Sequence, residues 1–267
     1  MRSEAFARKH NLQYQLSYGE APIVVFEPAA DRHGNFLPET FKAIQNNVEW
    51  ARRLKKAHTT ARASLPKLWE HRWCELDTCN SSDALLMNVF CHPETFADGR
   101  VASMLGIDAE ARPEFGVRAR VPMREGRADR TEVDMVVGSL LVEAKLTESD
   151  FQTASKELVE QYGDFVRVFA RRELRRRNGR YEGYQLIRNV LAAHATGASF
   201  CLLADARRPD LREQWFAVMR CVHDAELRTR CKMLTWQELT EVLPERLRKY
   251  LAEKYGIGAD AFATEAD

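Results

Sequence analysis

The stretch 131–145, Thr-Glu-Val-Asp-Met-Val-Val-Gly-Ser-Leu-Leu-Val-Glu-Ala-Lys, constrains the fold of this chain more than any other. Two aliphatic runs flank Gly138-Ser139, and glycine in the first position of a two-residue loop suits a type II′ hairpin. That turn sets Val137 opposite Leu140, Asp134 opposite Glu143 and Glu132 opposite Lys145. Side chains alternate along a strand, so these four charged residues share one face. Two facing carboxylates repel each other unless positive charge lies between them, so Asp134→Asn should stabilise a metal-free hairpin. A hard divalent cation meets the need, because Mg²⁺, or Mn²⁺ in its place, takes a few carboxylate oxygens and fills its remaining positions with water or phosphate. Lys145 then lies within reach of a phosphate oxygen, and such a set polarises a phosphodiester. The competing reading is a solvated hairpin face with a Glu132–Lys145 surface pair. Val136 and Leu141 on that face argue against it.

The remaining pattern is α/β from Trp73 onward. A capping cluster at 80–83 precedes an apolar helix at 84–90, which implies burial against a sheet. A strand at 117–121 and the hairpin follow, then a helical run from Phe151 to about Arg177 that grows very basic. A helix at 184–194 stops at Gly197, a buried strand occupies 198–204, and Pro209 opens a helix through Val222. After a strand at 231–234, Thr235-Trp236-Gln237-Glu238 fits a capping box for a final helix to Tyr255, with Gly256 as its C-cap. Residues 1–72 read as an N-terminal extension. It carries a strand-like run at 22–26, a turn at 31–35, and a helix from Pro38 to about Ala63 ended by Leu65-Pro66. Residues 73–258 form the main domain and 259–267 a tail. Helices flanking a mixed sheet give an α/β fold.

The arrangement Asp134…Glu143-Ala144-Lys145 resembles the core of the PD-(D/E)xK nuclease superfamily, the restriction-endonuclease-like fold, across roughly residues 80–257. The resemblance implies a mixed four-stranded sheet flanked by helices and Mg²⁺-dependent phosphodiester hydrolysis, with DNA as substrate and RNA an open alternative. Asp134 and Glu143 match the metal ligands, with the Ala144 carbonyl a further candidate. Lys145 matches the catalytic lysine that orients the nucleophile or stabilises pentavalent phosphorus. Val133 stands where the family's name places proline. Several similar branches carry a Gln on the helix after the hairpin that contacts the active site, and Gln185 matches it; a solvated polar helix face is the alternative. Those branches often place Tyr four residues on, where this chain has Asn189. The family often carries an acid or amide on its first core helix, which makes Asn88 an accessory candidate beside Glu132; a buried Asn satisfied by backbone is the alternative. A restriction or DNA-processing nuclease of bacterial type is the implied activity. A catalytically silent nucleic-acid-binding module with the same fold is the other reading.

Charge distribution bears on the partner. The 40 basic and 39 acidic residues nearly cancel, yet 30 of the 40 are arginine, whose planar fork grips phosphate. Seven fall between Arg167 and Arg180, with Glu173 as the one acid. Arg171, Arg172, Arg175 and Arg176, with Arg188 on the following helix, are the candidate nucleic-acid contacts; a solvated basic face is the alternative. The six cysteines and seven histidines lack the spacing of a structural zinc site. Cys74, Cys79 and Cys91 are irregularly spaced for an iron–sulfur site, and buried apolar roles suit them better. The charged N-terminus lacks a secretory pattern and no run is long enough to span a bilayer, so the expectation is a cytoplasmic protein without a membrane partner. Cutting both strands with one site per chain favours a homodimer.

Overall fold

The structure, a computed structural model, describes residues 2–27, 29–58, 65 and 73–258. Its elements in chain order are α1 (Arg2–Lys9), β1 (Tyr14–Leu16), β2 (Val24–Phe26), α2 (Pro38–Asn46), α3 (Val48–Arg53), α4 (Ser82–Phe90) and α5 (Arg100–Leu105). Then come β3 (Pro113–Arg118), β4 (Val121–Pro122), β5 (Ala128–Asp129), β6 (Glu132–Val137), β7 (Leu140–Ala144), β8 (Thr153–Ser155), α6 (Lys156–Val159) and α7 (Phe165–Val168). The remainder are β9 (Arg176–Arg177), β10 (Arg180–Glu182), α8 (Tyr184–Thr196), β11 (Ser199–Ala204), α9 (Pro209–Met219), α10 (Ala225–Thr229), β12 (Cys231–Thr235), α11 (Trp236–Thr240) and α12 (Glu245–Tyr255). They fall into two compact units, Met1–Glu110 with Trp236–Asp267, and Ala111–Thr235.

In the first unit, β1 and β2 form an antiparallel ribbon. The helix opened by Pro38 is two helices, because Asn47 takes an extended conformation and its side chain accepts the N–H groups of Glu49 and Trp50 to start α3. Its implied end near Ala63 and Pro66, like the tail at 259–267, lies outside the described residues. Ser81 caps α4 by accepting the Ala84 N–H, and every residue from Ala84 to Phe90 is buried. The final helix is likewise two: Pro244, with no N–H to donate, separates α11 from α12. Gly256 then ends α12 with φ +67°. Lys254 in α12 is fully buried and donates to Gly34 O, Asn35 Oδ1 and Tyr250 OH, tying the chain's last helix to residues near its start.

The second unit is built on a mixed sheet of order β12-β11-β7-β6-β3, five strands where the family resemblance implies four. The additional edge strand is β3, antiparallel to β6. Pro113 at its start and Gly116 in its middle shift the strand expected at 117–121 from its actual bounds. Gly116 adopts φ +65°, a bulge-like position, and the flanking pairs Phe115↔Met135 and Val117↔Val133 set it beside Asp134. The run 151–177 is not one helix. Residues 153–155 pair with β10 instead, and the Gly163 N–H goes to Pro122 O, so these groups serve tertiary partners rather than a continuous helix ladder. Asn178-Gly179 is the tight turn between β9 and β10, with φ +51° and +76°, as a type I′ hairpin requires. Between the parallel strands β7 and β11 the chain crosses through α8. That helix buries Leu186, Ile187, Val190 and Leu191 in a core shared with Val133, Leu141, Phe200 and Trp215.

Candidate active site

The hairpin register agrees with the sequence: Val137↔Leu140, Val136↔Leu141 and Met135↔Val142, with Gly138 at φ +57°. The main-chain ladder ends there. At the next step Asp134 Oδ2 accepts the Ala144 N–H at 2.9 Å, a side chain standing where a strand carbonyl would. The Lys145 N–H turns to Leu203 O on β11 at 2.8 Å. A rung joining Glu132 to Lys145 is therefore not formed, and Glu132 pairs instead with Arg118 on β3. The site thus opens at the C-terminal ends of parallel β7 and β11, the end of an α/β sheet where ligand crevices form.

Glu143 is completely buried and Lys145 is 5 % exposed. Lys145 Nζ lies 2.8 Å from Glu143 Oε1 and 5.7 Å from the Phe151 ring centroid. Burial alone would lower the lysine pKa, but the Glu143, Asp134 and Glu148 carboxylates outweigh it and hold the pKa well above its ordinary value. Glu148 is fixed nearby because its Oε2 accepts the N–H groups of Leu146 and Thr147. The positive charge that the facing carboxylates require is supplied by the chain's own ammonium.

From α8, Asn189 Nδ2 donates to Glu143 Oε2 at 2.8 Å. Arg188 donates through Nε and Nη2 to Asn189 Oδ1 and through Nη2 to Glu132 O. Arg188 is only 5 % exposed, so its guanidinium is an internal brace and not the surface contact to nucleic acid expected from the sequence. Gln185 lies one turn before Asn189 on the same helix face, its Oε1 buried and without a hydrogen-bond partner. Asn189 is the residue that sequence reasoning undervalued; its i+4 spacing from Gln185 was the available signal.

The other candidates are placed as follows. Asn88 belongs to the first unit, where its Oδ1 accepts the Leu37 N–H at 2.9 Å while its Nδ2 is buried without a hydrogen-bond partner among the described residues. Arg171, Arg172, Arg175 and Arg176 are all exposed. Arg171 pairs with Glu160 at 2.9 Å, Arg175 with Glu213 at 2.8 Å, and Arg176 stacks 4.6 Å from the Tyr181 ring centroid. All six cysteines are free thiols.

A divalent cation suits the hairpin on donor chemistry. Glu143 Oε1 is a buried carboxylate oxygen whose one partner among the described residues is the Lys145 ammonium at 2.8 Å, and Asp134 faces it across the parted strands. Among the described residues no group of three or more His, Cys, Asp or Glu side chains is arranged around a metal position. Two carboxylates and a main-chain carbonyl therefore make a sparse set, of the kind that leaves positions for water and phosphate.

Comparison with curated proteins finds no match. Comparison with solved structures finds none either. No helix among the described residues is long and apolar enough to cross a membrane. The family model described as "Restriction Endonuclease associating with ARP" matches residues 2–256, spanning the first unit, the sheet and the parted hairpin alike, and the chain belongs to that restriction-endonuclease-like family.

Proposed function

We propose that this protein is a PD-(D/E)xK-type nuclease that hydrolyses DNA phosphodiester bonds with a divalent cation. The observation that carries the reading is the convergence of Asp134, Glu143 and Lys145 where β6 and β7 part, with Glu143 clamped by Asn189. Asp134, Glu143 and the Ala144 carbonyl are the groups that would hold Mg²⁺ or Mn²⁺. When bound, the cation supplies Lewis-acid polarisation of the phosphate and neutralises developing charge.

The chain's residues do the rest. Asn189, braced by Arg188, holds Glu143 Oε2, so that Oε1 is presented to a cation once Lys145 leaves it. Asp134 is oriented by the Ala144 N–H. Lys145 remains protonated and, on leaving Glu143 Oε1, donates a hydrogen bond to a phosphate oxygen or to the attacking water. Gln185, with its amide oxygen unpaired, orients a donor on that water or on the substrate. Arg172 and its neighbours meet backbone phosphates, for which Glu160 and Glu213 are the internal competitors.

The test is cleavage of supercoiled and linear DNA by the full chain with Mg²⁺, with Mn²⁺ and with EDTA, beside Asp134→Asn. Cation-dependent cleavage that falls by orders of magnitude in Asp134→Asn is the expected result. DNA binding without cleavage under any cation would instead establish the silent binding module. Parental cleavage by Asp134→Asn would overturn the site.

A further inference from the structure

Away from the carboxylate hairpin, the second unit carries a hollow of about 600 Å³, within the range of small-molecule sites (about 300–1,000 Å³). Its lining includes Arg171, Arg172, Arg176, His223, Val166 and Phe169. The frame is well tied. Phe169 bridges to Val222, the Ala170 N–H donates to Cys221 O at 2.8 Å, and the His223 N–H donates to Val168 O at 3.1 Å. His223 Nε2 lies 2.7 Å from Arg167 O, a carbonyl that only accepts, so Nε2 carries the proton.

Charge and surface chemistry select the ligand. Three guanidiniums face one lining carboxylate, Glu173, and one flanking carboxylate, Glu160 on Arg171. Arg176 is held in place by stacking on Tyr181 and by donating to Tyr181 OH at 2.8 Å and Arg171 O at 3.3 Å, so little entropy is lost when it meets an anion. Arg172 has no ion-pair or hydrogen-bond partner among the described residues and is exposed. Beside these donors, Val166 is 52 % exposed and Phe169 forms a buried apolar floor. A bare anion needs the arginines but has no use for the apolar wall.

We propose that this hollow binds a nucleoside phosphate, the phosphate on Arg172 and Arg176 and the base or sugar against Val166 and Phe169. The ligand is either an unpaired nucleotide of a bound strand or a free nucleotide. The first source rests on the nuclease reading; the second does not.

The test uses the full chain in EDTA, so that no result depends on cleavage. The probes are dAMP, inorganic phosphate, and a short fluorescent single-stranded oligodeoxynucleotide, titrated into the parent protein, Arg172→Ala, Arg172→Lys and Asp134→Asn. The expected result is that dAMP binds more tightly than inorganic phosphate, weakens about tenfold or more in Arg172→Ala, and recovers in part in Arg172→Lys. Matched thermal melts without ligand check that the variants fold. Displacement of the oligonucleotide by dAMP, with the same Arg172 dependence, identifies the strand nucleotide as occupant. Binding of dAMP without displacement identifies the free nucleotide. Equal binding of dAMP and phosphate, or binding indifferent to Arg172, overturns the proposal. A parallel cleavage assay of the parent with Mg²⁺ separates the two readings: dAMP binding by a parent that cleaves nothing would sink the nuclease alone, and absent dAMP binding beside intact cleavage would sink the pocket alone. Asp134→Asn, outside the hollow, should bind dAMP in EDTA like the parent.

Discussion

The side-chain amide of Asn189 donates to Glu143 Oε2 at 2.8 Å, and neither residue is exposed to solvent. Arg188 has only donors to offer and places two of them on Asn189 Oδ1, which forces Nδ2 toward the carboxylate. The orientation of the amide is thereby dictated by its neighbours on both sides. A positive charge at Arg188 is relayed through a polarised amide onto Glu143, while Lys145 approaches the other oxygen. A single carboxylate is gripped by one charge directly and by a second through an intermediary.

Breaking the intermediary has a predictable cost. Asn189→Ala leaves both Glu143 Oε2 and Arg188 short of a buried partner, and should destabilise the protein by about 1–3 kcal/mol in urea unfolding. Asn189→Asp keeps the shape but sets a second carboxylate against Glu143. Its deficit relative to Asn189→Ala should be larger at neutral pH than in mild acid, where one of the two carboxyls takes a proton. Equal deficits at both pH values would mean that the amide does not face Glu143.

Gly116 supplies a second handle on the same site. Its φ of +65° is costly for any residue with a Cβ, and the strand register sets it beside Asp134. Gly116→Ala should cost about 1–2 kcal/mol from backbone strain. Gly116→Val should cost more, because a β-branched residue tolerates positive φ least. A Gly116→Ala protein melting like its parent would show that β3 relaxes to negative φ at no cost.

The hairpin was legible because a two-residue turn with a leading glycine leaves one register, and alternation then fixes which residues share a face. What followed Val142 was not. The parting of β6 and β7 depends on β11 claiming the Lys145 N–H, a contact between residues 58 positions apart that no local pattern encodes. The start of strand β3 was hidden by Pro113 and Gly116, residues that mark an edge strand only when its neighbour is known, so the expected strand fell at 117–121. The segment 151–177 carries apolar residues at near-helical spacing, yet Phe165 is buried from the short helix α7 while Phe151, Tyr162 and Phe169 are buried from the connections around the short elements. Lys254 reads as one more polar position near the end of a helix, and nothing in its sequence neighbourhood announces an ammonium buried against Gly34 and Asn35.

Asp129 predicts how the second unit responds to acid. Burial would raise its pKa, but hydrogen bonds from Thr131 and from Tyr162 OH outweigh that and hold it below the usual carboxylate value. Tyr162 OH also meets Tyr184 OH at 2.9 Å, which links this carboxylate to the first residue of α8. A carboxylate whose folded pKa is depressed contributes stability above its unfolded pKa of about 3.9, and that stability is lost as pH falls through the folded value. Asp129→Asn should therefore be less stable than the parent at neutral pH, with the gap closing in acid. Parallel stability curves down to the acid limb would place the effect elsewhere.

Lys145 predicts opposite responses with and without a divalent cation. Lys145→Met keeps the length of the side chain but leaves the fully buried Glu143 facing Asp134 with no ammonium between them. Removing one partner of a buried ion pair costs about 3–5 kcal/mol, so the variant in EDTA should melt well below its parent. Mn²⁺ or Ca²⁺ restores positive charge at the carboxylates, so the same variant should gain more from added cation than the parent does, while cleavage stays lost. Asp134→Asn reverses the sign that repulsion alone implies. Because the ammonium already neutralises the pair, removing the Asp134 charge strips a counter-charge from Lys145 and should lower metal-free stability rather than raise it. The pH dependence follows from the raised lysine pKa: the pair's contribution is complete below the ordinary lysine value of about 10.4 and is lost only as pH climbs through the higher folded value. Melts of the three proteins with EDTA and with Mn²⁺ at neutral pH, and of the parent into the alkaline range, read all of this. A Lys145→Met protein as stable as its parent in EDTA would show that the ammonium is not what holds the two carboxylates together.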